Sequence, residues 1–411
     1  MTEAASPIRA ADPADAAPGG VRTAPAEAAS PPKIKRPYLY QADLFRIITF
    51  LCVIGGHVVD GANSMNPGNV TAQGAEVLLH YTRQAFFTLT AFVLVYQYAR
   101  RPFSARGFWR RRFALVGIPY VAWSVVYWAY PLITGMWHET VPQALQQLLV
   151  ELATGNAWYQ MYFLLVTMQV YLLFPLILKL LDATQGYHRW LVAAGAALQL
   201  VFLWYFVHPP EFTGLVASIW NHVYALVIAY PFYVIFGAVA AWHMDTVIRI
   251  VRRFGPLLVA GGITAAVFAE WYYLRSVDLG MPPWTASNVF MPHLLPVFAL
   301  IILGQYTVCY WWAGIRRDGT LVARTVSWGA DRSFGVFLLH PLALQLLAPY
   351  IVPLQQQVGS LLCTTIIFVS VLAMSLAGTE VLRRIPGSLW LTGRPMIHTD
   401  FTPLTRRSRT T

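Results

Sequence analysis

The chain has 411 residues, 57% of them hydrophobic and only 11% charged, with a formal net charge of +11. Soluble domains carry about 25% charged residues, so this composition, with a mean hydropathy of +0.52 over the whole length, excludes a soluble protein with a single anchor. The surplus of Lys and Arg belongs, on the placement described below, to membrane topology rather than to a nucleic-acid surface.

Residues 1–36 are rich in Ala and Pro and lack the ~7–15-residue apolar run of a secretory signal. They read as a disordered cytoplasmic tail ending in the basic cluster Lys33, Lys35 and Arg36. Residues 37–385 hold ten apolar stretches, near 39–61, 77–99, 112–134, 157–180, 189–207, 221–242, 255–274, 290–312, 334–352 and 358–380. Each approaches the ~20 residues a helix needs to cross a bilayer. Lipid leaves no economical alternative to helices for such runs. The predicted fold is therefore an all-α membrane protein, a bundle of about ten transmembrane helices, with a basic cytoplasmic tail over 386–411.

With the amino terminus placed inside, the inner loops and tails hold 26 of the 29 Lys and Arg residues, and the outer loops hold one, Arg275. Such asymmetry puts both termini in the cytoplasm. Membrane lipids are the expected partners and nucleic acid is not. The segment 141–153 is too short to span; its stripe Leu145, Leu148, Leu149, Leu152 predicts an amphipathic helix lying at the outer interface. Cys52, Cys309 and Cys363 lie in apolar stretches and offer neither a disulfide framework nor metal-ligand spacing, so no metal is expected.

The polar residues inside the spans carry the chemistry. Arg46 and His57 lie eleven positions apart in the first span. At about 100° per residue they share one helix face, and at ~1.5 Å rise they are roughly 16 Å apart along it. Asp43 precedes Arg46 by three and can pair with it as a simple anchor. Alternatively, the planar guanidinium holds a phosphate or carboxylate entering from the cytoplasm. His57 follows Gly55 and Gly56, which let a ligand or a second backbone come close. Its imidazole either bonds a neighbouring helix or takes a proton.

Further along, His80 and Arg83 share a face of the second span. Arg106, Arg110, Arg111 and Arg112 crowd the cytoplasmic mouth of the third, where they set orientation and could also hold a phosphate-bearing co-substrate. Glu270, late in the seventh span, is a partner for Arg83, an orienting group for an imidazole, or an interfacial carboxylate. His340 precedes Pro341 in the ninth, where proline is expected to bend the helix. Phosphate-binding glycine loops, the GxSxG elbow and HExxH are absent.

Several stretches, in order, resemble the acyltransferase 3 family of membrane proteins. They are Arg46 with ten intervening residues before His57, Phe86-Phe87-Thr88-Leu89-Thr90-Ala91-Phe92, the basic entry Arg111-Arg112-Phe113 to Pro119-Tyr120, Trp158 to Leu164, and Ser333-Phe334-Gly335-Val336-Phe337-Leu338-Leu339-His340-Pro341. The resemblance runs from about 38 to 385. It implies a multi-pass enzyme of a bacterial plasma membrane that moves an acyl group, often acetyl from acetyl-CoA, onto a hydroxyl of a glycan, lipid-linked sugar or metabolite. His57 matches the family's catalytic histidine and Arg46 its partner arginine. Acyl-CoA is the implied co-substrate, with Arg46, Arg110, Arg111 and Arg112 at its phosphates. Arg83, Glu270 and His340 are candidates for the substrate or oxyanion.

Two positions depart from the family pattern: Leu115 stands where a second arginine would follow Arg112, and Thr90-Ala91 replaces Ser-Gly. An exporter or flippase of an acylated or anionic glycan is the rival reading, and a scaffold subunit of an envelope-synthesis complex a third.

Overall fold

The computed structural model describes residues 36–138 and 140–397; the amino-terminal tail up to 35 and the end of the carboxy-terminal tail lie outside these. Among the described residues the secondary structure is helical, with no strand. Eight of the ten apolar stretches form helices long and apolar enough to cross a membrane. In chain order the first elements are α1 (Tyr40–Asn63), α2 (Val70–Leu79), α3 (Thr82–Tyr98), α4 (Ala105–Ile133), α5 (Val141–Thr154), α6 (Met161–Ala183) and α7 (His188–Val207). They continue as α8 (Gly214–Asn221), α9 (Pro231–Trp242), α10 (Met244–Asp278), α11 (Pro283–Ala286), α12 (Leu294–Ile315), α13 (Leu321–Val358), α14 (Ser360–Leu382) and α15 (Ser388–Thr392).

Two predicted spans depart from a single helix. The stretch 77–99 is built from the end of α2 and all of α3, a 17-residue helix, joined through His80 and Tyr81. The stretch 221–242 begins as two 3₁₀ turns, Val223–Ala225 and Val227–Ala229, and only then becomes the 12-residue α9. Pro231 at its start lacks the N–H that would continue the ladder backwards. Irregular backbone at this depth survives only where protein satisfies it. Two glutamines do so. Gln169 of α6 donates to the Ala225 carbonyl at 2.7 Å and accepts from the Val227 N–H at 2.9 Å. Gln199 of α7, only 1% exposed, donates to the Ala229 carbonyl at 2.7 Å.

The predicted interfacial helix is α5. Its Leu145, Leu149 and Val150 are exposed, as befits a helix with one side turned to lipid. A Thr140 and Gln143 capping box fixes its start. The bundle is closed by small residues where helices cross. The sharpest case is Gly237 of α9, where a Cβ would stand 2.1 Å from the Thr88 carbonyl of α3; no other residue type fits there.

After α14 the chain does not leave the bundle at once. Arg383 donates to Asp331 of α13 at 2.6 Å and Arg394 contacts the same carboxylate at 3.5 Å. Trp123 of α4 donates to the Leu391 carbonyl at 2.9 Å. The first part of the predicted tail, through α15 to Arg394, is therefore packed against α4 and α13.

Candidate active site

α1 presents one stripe to the interior, Arg46, Phe50, Val53, His57 and Asp60, spaced four, three, four and three residues apart. That spacing keeps all five on one face of the helix. The stripe lines two chambers. One, of about 600 Å³, holds Val53, His57 and Asp60; the other, of about 380 Å³, holds Arg46 and Phe50. Phe86 of α3, Phe163 of α6 and Phe337 of α13 line both. Their rings touch in series, with centroids 5.6 Å apart for Phe86 and Phe163 and 5.5 Å for Phe163 and Phe337. An apolar collar thus divides the histidine end from the arginine end.

In the first chamber His57 packs against two rings that also lie close to each other, Tyr159 and His340 being 6.5 Å apart by centroids. The His57 ring is 4.4 Å from Tyr159 and 5.4 Å from His340, the latter 22° from parallel. Among the described residues no hydrogen bond holds the His57 nitrogens; they face the cavity.

The geometry of His340 follows from its neighbour. Pro341 has no N–H for the Phe337 carbonyl four residues earlier. The Nδ1–H of His340 donates to that carbonyl instead, at 2.8 Å. Despite three internal prolines α13 runs as one helix, and the donated bond is the repair at this step. It also fixes the tautomer, since a carbonyl can only accept. Nε2 is left as a lone pair, buried and without a partner. In this tautomer the one N–H of His340 is held within the helix, and Nε2 can only accept.

Arg83 faces the same chamber. Its guanidinium donates to the Tyr230 hydroxyl at 3.4 Å and lies over the rings of Tyr162 and Phe290, at 5.3 and 5.2 Å. Tyr230 passes its own proton on to the Tyr224 carbonyl at 2.8 Å. Among the described residues no carboxylate pairs with Arg83. The suggestion that Glu270 partners Arg83 or orients an imidazole is not met. Glu270 lies against Gly74 of α2 and lines neither chamber, because α10 packs behind α2 rather than beside α3.

Glu76 of α2 takes a place that the sequence reading gave to no residue. Buried in the wall, it pairs with His80 at 3.0 Å, and its other oxygen is unpartnered. Gln160 is likewise new. It is 2% exposed, lines the chamber, and neither amide atom has a hydrogen-bond partner. Tyr159, just before α6, lines the same chamber as Asp60.

The arginine chamber collects three cations, Arg46, Arg112 and Arg394. Arg46 pairs with Asp43 at 3.4 Å. Arg112 donates to Gln97 at 3.0 Å and reaches over the Tyr171 ring. Arg110 and Arg111 are exposed and line neither chamber. Leu115, the departure from the family pattern, is on this wall, and the packed tail brings Gly393 against the Leu115 carbonyl, setting Arg394 beside it. The chamber keeps a third cation, from the other end of the chain. Among the described residues no three His, Cys, Asp or Glu side chains are grouped to hold a metal ion.

A base open to a cavity, an unpaired cation beside it and a basic antechamber suit transfer of a group from a phosphate-bearing donor. A family described as an acyltransferase domain, acyltransferase 3, matches residues 39–380. No curated protein and no solved structure matches the chain.

Proposed function

The chain belongs to the acyltransferase 3 family of integral-membrane acyltransferases, and we propose that it moves an acetyl group from acetyl-CoA to a hydroxyl of a glycan, a lipid-linked sugar or a metabolite. The observation that carries this reading is the α1 stripe, which lines a basic antechamber and a histidine chamber on the two sides of the collar of Phe86, Phe163 and Phe337. The Lys and Arg bias supports a cytoplasmic antechamber and cytoplasmic termini, and the family resemblance suggests a bacterial plasma membrane as the site of this multi-pass protein.

On this reading Arg46, Arg112 and Arg394 hold the phosphates of the donor, Arg46 by its planar fork. The donor's narrow pantetheine arm suits the apolar collar, and the thioester then meets His57. His57 accepts the proton of the acceptor hydroxyl as its oxygen attacks the thioester carbonyl carbon. The carbonyl electron pair moves to oxygen, where Arg83 and the Gln160 amide are the available donors. As that pair returns, the C–S bond breaks and His57 gives its proton to the leaving thiolate. The aromatic residues of the chamber and the apolar collar below it limit the water that reaches the thioester.

The decisive experiment measures transfer from labelled acetyl-CoA in proteoliposomes by the His57→Ala protein. A loss of ~10²–10⁴ in rate is expected for a general base. Activity within a few-fold of the unsubstituted protein would sink the proposal. Substrate crossing without consumption of acetyl-CoA would favour the exporter reading instead.

A further inference from the structure

A third cavity, of about 1000 Å³, shares no lining residue with either chamber. It is formed where the loop after α3 and the start of α4 meet α6 and the end of α9. Three cations line it, Arg100, Arg101 and Lys179. Its one carboxylate, Asp182, already accepts a hydrogen bond from Gln185 at 2.8 Å. The other side is apolar. Leu172 and Leu176 of α6 line the cavity and are 54% and 59% exposed, so it opens sideways onto the surface that faces hydrocarbon.

Two details mark this as a built site rather than a gap. Arg100 is the one non-glycine residue with positive φ among the described residues, at 60°. A bulky side chain adopts that conformation at a cost, and such strain persists where surrounding structure imposes it. The strain sets the guanidinium 4.9 Å over the Trp242 ring at the cavity wall. The second detail concerns Pro175, which also lines the cavity. It deprives the Tyr171 carbonyl of its helical donor, and the Trp109 indole N–H supplies one at 2.9 Å. That bond locks an aromatic wall in place.

We propose that this cavity binds one anionic phospholipid, its phosphate held by Arg100, Arg101 and Lys179 and its acyl chains laid along Leu172 and Leu176. Charge complementarity selects the headgroup, and the lateral opening onto exposed leucines selects a lipid over a soluble phosphate. The inference is independent of the acyl-transfer reading. It extends to the donor only through structure, because Trp109 holds Tyr171, whose ring lines the arginine chamber.

The test is native mass spectrometry of the full chain, delipidated in detergent and titrated with phosphatidylglycerol or phosphatidylcholine. The expected result is one retained phosphatidylglycerol, in preference to phosphatidylcholine. The double substitution Arg100→Gln and Lys179→Gln should cut that preference by about fivefold for each charge removed and leave phosphatidylcholine retention unchanged. Leu176→Trp, which fills the opening, should lower retention of both lipids. Melting temperatures are read first; should the strained Arg100 position not tolerate Gln, Lys179→Gln alone carries the charge test, since Lys179 is exposed. Unchanged phosphatidylglycerol retention in the charge variant would overturn the proposal. Displacement of the lipid by inorganic phosphate would also overturn it, and displacement by acetyl-CoA would reassign the cavity to the donor nucleotide.

Discussion

His340 stacks on His57 with ring centroids 5.4 Å apart and planes 22° from parallel, while its own Nδ1–H is committed to the Phe337 carbonyl. The ring that steadies the proposed base is thus itself fixed by a backbone bond that Pro341 makes available. A defect in the helix and the orientation of the site have one cause.

His340→Phe keeps an aromatic ring against His57 and removes the donor to the Phe337 carbonyl. The stranded carbonyl should cost about 1–3 kcal/mol of stability. Turnover should fall at least tenfold, with KM for acetyl-CoA nearly unchanged, because the base would lose its orientation while the donor contacts in the arginine chamber would stay as they are. Steady-state kinetics with a melting curve separates the two effects. Unaltered turnover in a folded variant would leave His340 a purely structural residue.

Arg46→Lys and Arg394→Ala should each raise KM for acetyl-CoA and spare turnover. Hydrogen bonds to a charged group are worth about 1.5–3 kcal/mol, so roughly tenfold is expected for Arg46→Lys, which loses the fork. Arg394 is half exposed and also contacts Asp331, so a smaller, salt-sensitive rise of a few-fold is expected there. Arg110→Ala, outside the chamber, is the control, and an equal effect from it would reassign the donor site.

Phe163→Ala removes the middle ring of the collar, which touches both Phe86 and Phe337. Water should then reach the thioester. Free thiol release without an acceptor should rise several-fold relative to transfer. A ratio unchanged from the original protein would deny the collar any sealing role.

Gln199→Leu should destabilise the fold by about 1–3 kcal/mol, because the buried Ala229 carbonyl loses its donor in a place without water. Gln169→Leu strands both a carbonyl and an N–H and should cost more. Thermal unfolding in detergent checks the order of the two.

Sequence spacing was enough to put Arg46 and His57 on one face of α1, because a helix imposes its period on any side chain it carries. Most spans were legible for the same reason: long apolar runs in lipid have few alternatives. The broken stretch 221–242 was not, since its hydropathy is that of a continuous helix and the two glutamines that permit the turns come from α6 and α7. Arg394 was hidden for a different reason. Its role depends on the chain turning back after α14, and a basic carboxy-terminal segment reads as a topology signal. Glu76 and Gln160 gave no signal of their own, because a lone polar residue at the edge of a span looks like an interfacial one. Glu270 looked equally polar and equally deep, yet helix packing placed it behind α2. Depth in the bilayer can be estimated from one dimension; the direction a residue faces depends on neighbours far along the chain.

The ring of Phe86, Phe163 and Phe337 has an electrical consequence. An open bore joining two aqueous spaces would leak ions and dissipate the membrane potential, whereas a phenyl-lined neck is a poor conductor because a bare ion loses its hydration there. A slender uncharged arm is tolerated in such a neck; a triply phosphorylated nucleotide is not. On the proposed reading, the neck would keep the bilayer insulated while the donor's arm reaches through it.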